Sequence, residues 1–212
     1  MIKRHLKTML IATLVILLPM VAGLMLWDRL PEQVPFHWGI NGEVDGWATR
    51  EFAIFGMPLL MAGLQWLAAY LTDKDPKKAN MEGKQAVLVL WIIPIMSLLL
   101  HGMVYCTALG MDVAVEVIIP MVFGALFVFI GNYLPKCRQS YVLGIKLPWT
   151  LADEGNWNAT HRFAGWLWSI AGVLIMIIAF LGNTWLLLGI FLVLLIATVA
   201  YSYLYYRKHR HT

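Results

Sequence analysis

The sequence predicts an all-α integral membrane protein, a bundle of six transmembrane helices with both termini cytoplasmic, and three observations carry that prediction. Of the 212 residues, 60% are hydrophobic and only 13% charged, with a mean hydropathy of +0.71. A soluble domain of this length needs far more charge to cover its exterior, so much of the apolar surface has to face lipid. Six apolar stretches are each long enough to cross about 30 Å of hydrocarbon as a helix of about 20 residues. Fourteen of the sixteen Lys and Arg residues fall in the two tails and on alternate connections, leaving only Arg29 and Arg50 for the other side. The positive-inside rule then puts the cation-rich side, with both ends, in the cytoplasm. In a soluble protein the net charge of +4 would suggest nucleic acid; placed this way it points to the lipid bilayer and to no direct nucleic-acid partner.

The first stretch, Met9 to Trp27, follows Lys3, Arg4 and Lys7 like a secretory signal, but its apolar run is too long and no Ala-x-Ala site follows, so it reads as a retained span. The next connection, Asp28 to Glu51, carries Leu30-Pro31, Val34-Pro35-Phe36-His37-Trp38, Asn41-Gly42 and Asp45-Gly46-Trp47. Asn-Gly and Asp-Gly form turns and the prolines favour extended backbone, so a compact ordered loop is expected. Its acids outnumber its cations beside Trp27, Phe36, Trp38 and Trp47. Such a rim suits a cationic or amphipathic peptide arriving at the membrane, and equally a solvated loop above an interfacial aromatic belt. His37, Glu43 and Asp45 have no recognised metal spacing, and no metal or cofactor is expected.

The second, third and fourth stretches run from Phe52 to Leu71, Ala86 to Leu109 and Val117 to Leu134, with Pro19, Pro58, Pro94 and Pro120 expected to kink their helices. Gln65, His101 and Asn132 are the polar residues that hydrocarbon penalises most, so they are expected to face the bundle interior. A small-solute or ion-coupled transporter would use such groups; a neutral His bonded across helices is the ordinary outcome. Cys106 and Cys137 have no paired spacing and imply neither disulfide nor metal.

The connection Pro135 to Arg162 is the most specific part of the chain. Gly144 and Pro148 end regular structure, and Thr150 followed by Asp153 reads as a capping box opening a helix that runs through Trp157 and His161 into the fifth stretch, Phe163 to Leu181. Helical spacing puts Asp153, Trp157 and His161 on one stripe and Glu154, Asn158 and Arg162 on its neighbour. The sixth stretch is Trp185 to Tyr206. The division expected is a three-span region over 1–110, holding the 28–51 loop, and a second over 111–212, holding the 135–162 connection.

The run Gly144-Ile145-Lys146-Leu147-Pro148-Trp149-Thr150-Leu151, then Asp153-Glu154, Trp157 and His161-Arg162, resembles the signature loop of the SdpI family of bacterial membrane immunity proteins. Lys146 stands where that pattern has Arg, and Leu147 where it has Thr. The 28–51 loop resembles a domain of unknown function that accompanies this region, through Leu-Pro, Val-Pro-x-His and Gly-x-x-Asp-Gly in order. The resemblance implies a protein of the bacterial cytoplasmic membrane that protects its cell from a secreted toxic peptide and captures a small cytoplasmic repressor. Topology then assigns the peptide to His37, Trp38, Asn41, Asp45 and Trp47 on the outer loop. The cytoplasmic partner falls to Arg138, Gly144, Lys146, Pro148, Trp149, Thr150, Glu154, Trp157, His161 and Arg162. No His-Glu-x-x-His, Gly-x-Ser-x-Gly or phosphate-cradling loop occurs, which reads as a non-enzyme.

Overall fold

The computed structural model describes residues 2–39, 42–81 and 84–209. Among these described residues, six helices are long and apolar enough to cross a membrane: Leu6–Met25, Phe52–Lys74, Val87–Ala108, Val115–Lys136, Glu154–Ala179 and Thr184–His209. The chain forms two compact units, one of Met1–Lys74 with Met81–Val115 and one of Asp75–Asn80 with Glu116–Thr212.

In the first unit, α1 (Leu6–Met25) leads through a turn to two antiparallel strands, β1 (Gln33–Trp38) and β2 (Val44–Thr49). The connection expected as a compact ordered loop is a β-hairpin, set in a fold that is otherwise mostly helical, as expected. Val34 pairs with Ala48 and Trp38 with Val44, with irregular register beside Pro35 and His37, where Pro35 lacks a ladder donor. Asp45-Gly46 lies inside β2 and makes no turn: a Cβ on Gly46 would sit 2.8 Å from that of His37 across the pair. Gly42 has φ of 78° and contributes to the turn, while Asn41 lies outside the described residues. Arg50 ties the hairpin base to the end of α1, its Nη1 donating to the carbonyls of Trp27 (2.9 Å) and Leu30 (3.1 Å) with the guanidinium 4.2 Å over the Trp27 ring.

A π-helical turn, Phe52–Gly56, runs into α2 (Met57–Lys74). The third crossing is broken: α3 (Lys84–Leu90) stops at Trp91 and α4 (Ile92–Ala108) restarts, with Pro94 in its first turn, where a missing N–H leaves no helical bond unmade. Gly23 permits close approach to α1, because a Cβ there would lie 2.6 Å from Ile54 and 2.7 Å from the Tyr105 hydroxyl.

In the second unit, α5 (Val115–Tyr133) is followed by a 3₁₀ turn, a short helix α6 (Pro148–Ala152), α7 (Glu154–Ala179) and α8 (Thr184–His209). The backbones of α5 and α7 meet at two glycine pairs, Gly124 with Gly172 and Gly131 with Gly165, where an added Cβ would lie 2.5–2.8 Å from the opposite carbonyl. Small residues at a crossing allow this closeness, and dispersion contacts rather than exclusion of water hold helices together in lipid. α7 opens at Asp153 and not at Thr150: the Asp153 carboxylate accepts from the amides of Gly155 and Asn156, each at 2.9 Å.

Candidate functional site

On the hairpin, alternation sets Val34 into the core beside Leu30, Ile54 and Tyr105, while His37, Asp45 and Trp47 face out. His37 Nδ1 lies 2.5 Å from an Asp45 carboxylate oxygen, and both side chains are more than half exposed. Trp38 is half-buried against the core and Trp47 is 59% exposed, so one aromatic anchors the hairpin and the other is presented.

Of the intramembrane polar residues, Gln65 and His101 are buried in the first unit, while Asn132 is exposed on α5 in the second. His101 Nδ1 lies 2.7 Å from the Ser97 carbonyl, and the Ser97 hydroxyl donates to the Ile16 carbonyl at 3.0 Å, joining α4 to α1.

The connection between α5 and α7 is folded around its own polar groups. Trp157 is fully buried, donates from Nε1 to the Cys137 carbonyl at 2.8 Å and stacks on His161 at 4.0 Å. His161 donates from Nδ1 to the Trp157 carbonyl at 2.8 Å, which leaves Nε2 to accept the Ile145 amide at 3.0 Å. Gly144 has φ of 111°, and a Cβ there would stand 2.6 Å from the Trp157 ring. Pro148 occupies the first turn of α6, where a proline is tolerated. The Thr150 hydroxyl accepts the Leu147 amide at 2.9 Å and donates to the Ile145 carbonyl at 2.8 Å, so it closes the first turn of α6. Trp149 rests between Tyr203 and Tyr206 and donates from Nε1 to Ser202 Oγ at 2.8 Å.

Gly144, Thr150, Trp157 and His161 therefore shape the connection from within, whereas Arg138, Lys146, Glu154 and Arg162 are exposed on it. Lys146 Nζ reaches back to the Val142 carbonyl at 3.1 Å. Arg162 borders an open recess of about 600 Å³ with Asn158, Trp166, Tyr201 and Tyr205.

Three contributors escaped sequence reading. Asp75 is buried, and one carboxylate oxygen accepts from Ser140 Oγ at 2.6 Å and the Tyr141 and Val142 amides, while the other accepts the Lys77 amide at 2.7 Å. Burial pushes its carboxyl up, but these four bonds together outweigh that effect and hold it below the usual carboxylate range. Gln139 donates to the Thr150 and Leu151 carbonyls and accepts from Lys77 Nζ. Ser202 on α8 gathers Trp149, Asn156 and Thr160. Each partner lies far away in sequence or on a face that periodicity alone does not reveal.

Residues 136–202 match the SdpI/YfhL protein family, and residues 14–62 match a domain of unknown function, DUF1648. The chain is 26% identical over 211 residues to the immunity protein SdpI of Bacillus subtilis (strain 168), covering 95% of this chain and 97% of that one. No solved structure matches it.

Proposed function

We propose that this chain, which carries an SdpI/YfhL-family region behind a DUF1648 region, is a multi-pass protein of the bacterial cytoplasmic membrane that protects its cell against a secreted toxic peptide. The observation that carries the proposal is the end-to-end likeness to an immunity protein, 95% of one chain against 97% of the other. Six apolar helices agree with a membrane location, and protection by binding needs no catalysis.

The excess of Lys and Arg on alternate connections supports cytoplasmic ends, with the hairpin outside and the α5–α7 connection inside. Peptide engagement then falls to the exposed His37, Asp45 and Trp47 with Trp38 beneath them. A signalling role, capture of a small cytoplasmic repressor, falls to the exposed charges Arg138, Lys146, Glu154 and Arg162. Lys146 is a point charge where the family pattern has a planar bidentate donor, so an acidic partner is held there by charge more than by geometry.

The test is expression in a host sensitive to the toxic peptide, followed by challenge. Survival above the empty-vector host at equal growth is expected. Unchanged killing, together with ion-driven solute uptake in vesicles, would replace immunity by transport.

A further inference from the structure

The open recess of the second unit, about 600 Å³, lies between α7, which lines it with Asn158, Arg162 and Trp166, and α8, which lines it with Tyr201 and Tyr205. Its size falls within the range of about 300–1,000 Å³ that suits a small molecule. Its depth in the bilayer follows from the rise of the two helices. At about 1.5 Å per residue, Arg162 lies about 26 Å along α7 from the end at Ala179, and Tyr201 about 26 Å along α8 from the start at Thr184. About 30 Å of hydrocarbon therefore ends inside the recess. Asn158 and Tyr205, each about 32 Å along its helix by the same rise, stand at the level of the headgroups. Trp166 is one turn deeper than Arg162 and is 73% exposed at the depth of the acyl chains.

Among the described lining residues Arg162 is the one charged group. It is exposed and makes no hydrogen bond or ion pair with another described residue. The acids nearest in sequence, Asp153 and Glu154, do not line the recess, and the Asp153 carboxylate is taken by the Gly155 and Asn156 amides. Arg207 and Lys208 in the last turn of α8 add positive charge at the same end of the helix pair. Phe163 and Tyr201 stack face to face at 4.1 Å, which fixes the wall between α7 and α8. A guanidinium presents a planar fork of donors that matches phosphate oxygens, while the Asn158 amide and the tyrosine hydroxyls both donate and accept.

We infer that the recess binds the headgroup of an anionic glycerophospholipid, with its phosphate on Arg162, its headgroup hydroxyls on Asn158 and Tyr205, and the start of its acyl chains along Trp166. The anion found at the edge of the hydrocarbon is a lipid phosphate. An acidic side chain of a soluble partner would have to enter the acyl region to cover Trp166. A quaternary ammonium headgroup could lie against the aromatic rings, but Arg162 opposes its charge. A bound lipid covers Arg162 and leaves Arg138 and Lys146 open to a cytoplasmic partner. The inference rests on α7 and α8 crossing the bilayer and not on the immunity function.

The test is native mass spectrometry of the full chain in detergent, titrated with dioleoyl phosphatidylglycerol and with phosphatidylcholine of the same acyl chains. Wild type should retain phosphatidylglycerol about tenfold more tightly than phosphatidylcholine. Arg162→Gln should lose that preference, and Arg138→Gln, which removes an exposed cation outside the recess, should keep it. Should Arg162→Gln fail to accumulate, Ala159→Trp, which fills the recess, makes the same comparison and should also lose the preference. Equal retention of the two lipids by wild type, or a preference reduced as much by Arg138→Gln as by Arg162→Gln, would overturn the inference. A preference untouched by Arg162→Gln would overturn it too, and would return Arg162 to the cytoplasmic partner. Glycerol 3-phosphate, added as a competitor, should not displace the bound lipid at equal concentration; displacement would make this a site for soluble phosphate esters instead.

Discussion

Trp157 and Gly144 show why the order of Gly, Pro, Trp, Thr and acid in the connection is so particular. The indole fills the space that a side chain at Gly144 would claim, and its N–H satisfies the Cys137 carbonyl. Trp157→Ala should cost about 3–5 kcal/mol, the range for emptying a large aromatic site, read as a fall in thermal midpoint in detergent and in membrane abundance. Asp75 gives a signed pH prediction. Its folded carboxyl sits below its ordinary value of about 3.9, so its contribution to stability is fully present above that value and is lost as pH falls through the lower, folded one. Unfolding midpoints measured from pH 7 down to about 3 should fall less steeply in Asp75→Asn than in wild type. Sequence spacing could place Trp157 and His161 on one stripe; it could not reveal that Asp75, 65 residues before Ser140, completes the same loop.

At the scale of elements, the apolar runs located the crossings because hydropathy over about 20 residues is a strong signal in lipid. The helix expected to open at Thr150 and Asp153 and run into the fifth apolar stretch is α7, which begins at Glu154 under the Asp153 cap and buries Asn156, Trp157 and Thr160 in its first turns; what spacing missed is that Thr150 belongs to the separate short helix α6. Asp153→Ala should lower stability by about 1 kcal/mol in the same unfolding assay. The hairpin stayed hidden because its strands are six residues each and contain Pro35 and Gly46, both poor strand formers on their own. Pairing overrides that propensity, and Gly46 is there to clear His37. Gly46→Val should speed hydrogen exchange across residues 33–49 and leave α7 unchanged. A Val tolerated without faster exchange would mean that the hairpin is not held by this register.

For the whole molecule, sidedness comes first: in a background with Cys106 and Cys137 changed to Ser, a cysteine at Gly42 should react with an impermeant thiol reagent in intact cells, and one at Asn158 should not. On the sidedness proposed above, about 30 Å of hydrocarbon separates the hairpin from the α5–α7 connection, so peptide engagement and repressor capture should be separable by mutation. Removing one charge-assisted hydrogen bond between the inner face and its partner should weaken capture by about 1.5–3 kcal/mol. The decisive measurement is survival under the toxic peptide, taken beside a reporter of the immunity operon, for wild type, Trp38→Ala with Asp45→Ala, and Lys146→Gln with Arg162→Gln at matched membrane abundance. The wild-type chain should protect; the outer pair should lose protection, and the inner pair should keep protection while losing the reporter response. Protection retained by the outer pair, or both responses lost in proportion in both variants, would contradict a peptide-binding outer face separate from the inner one.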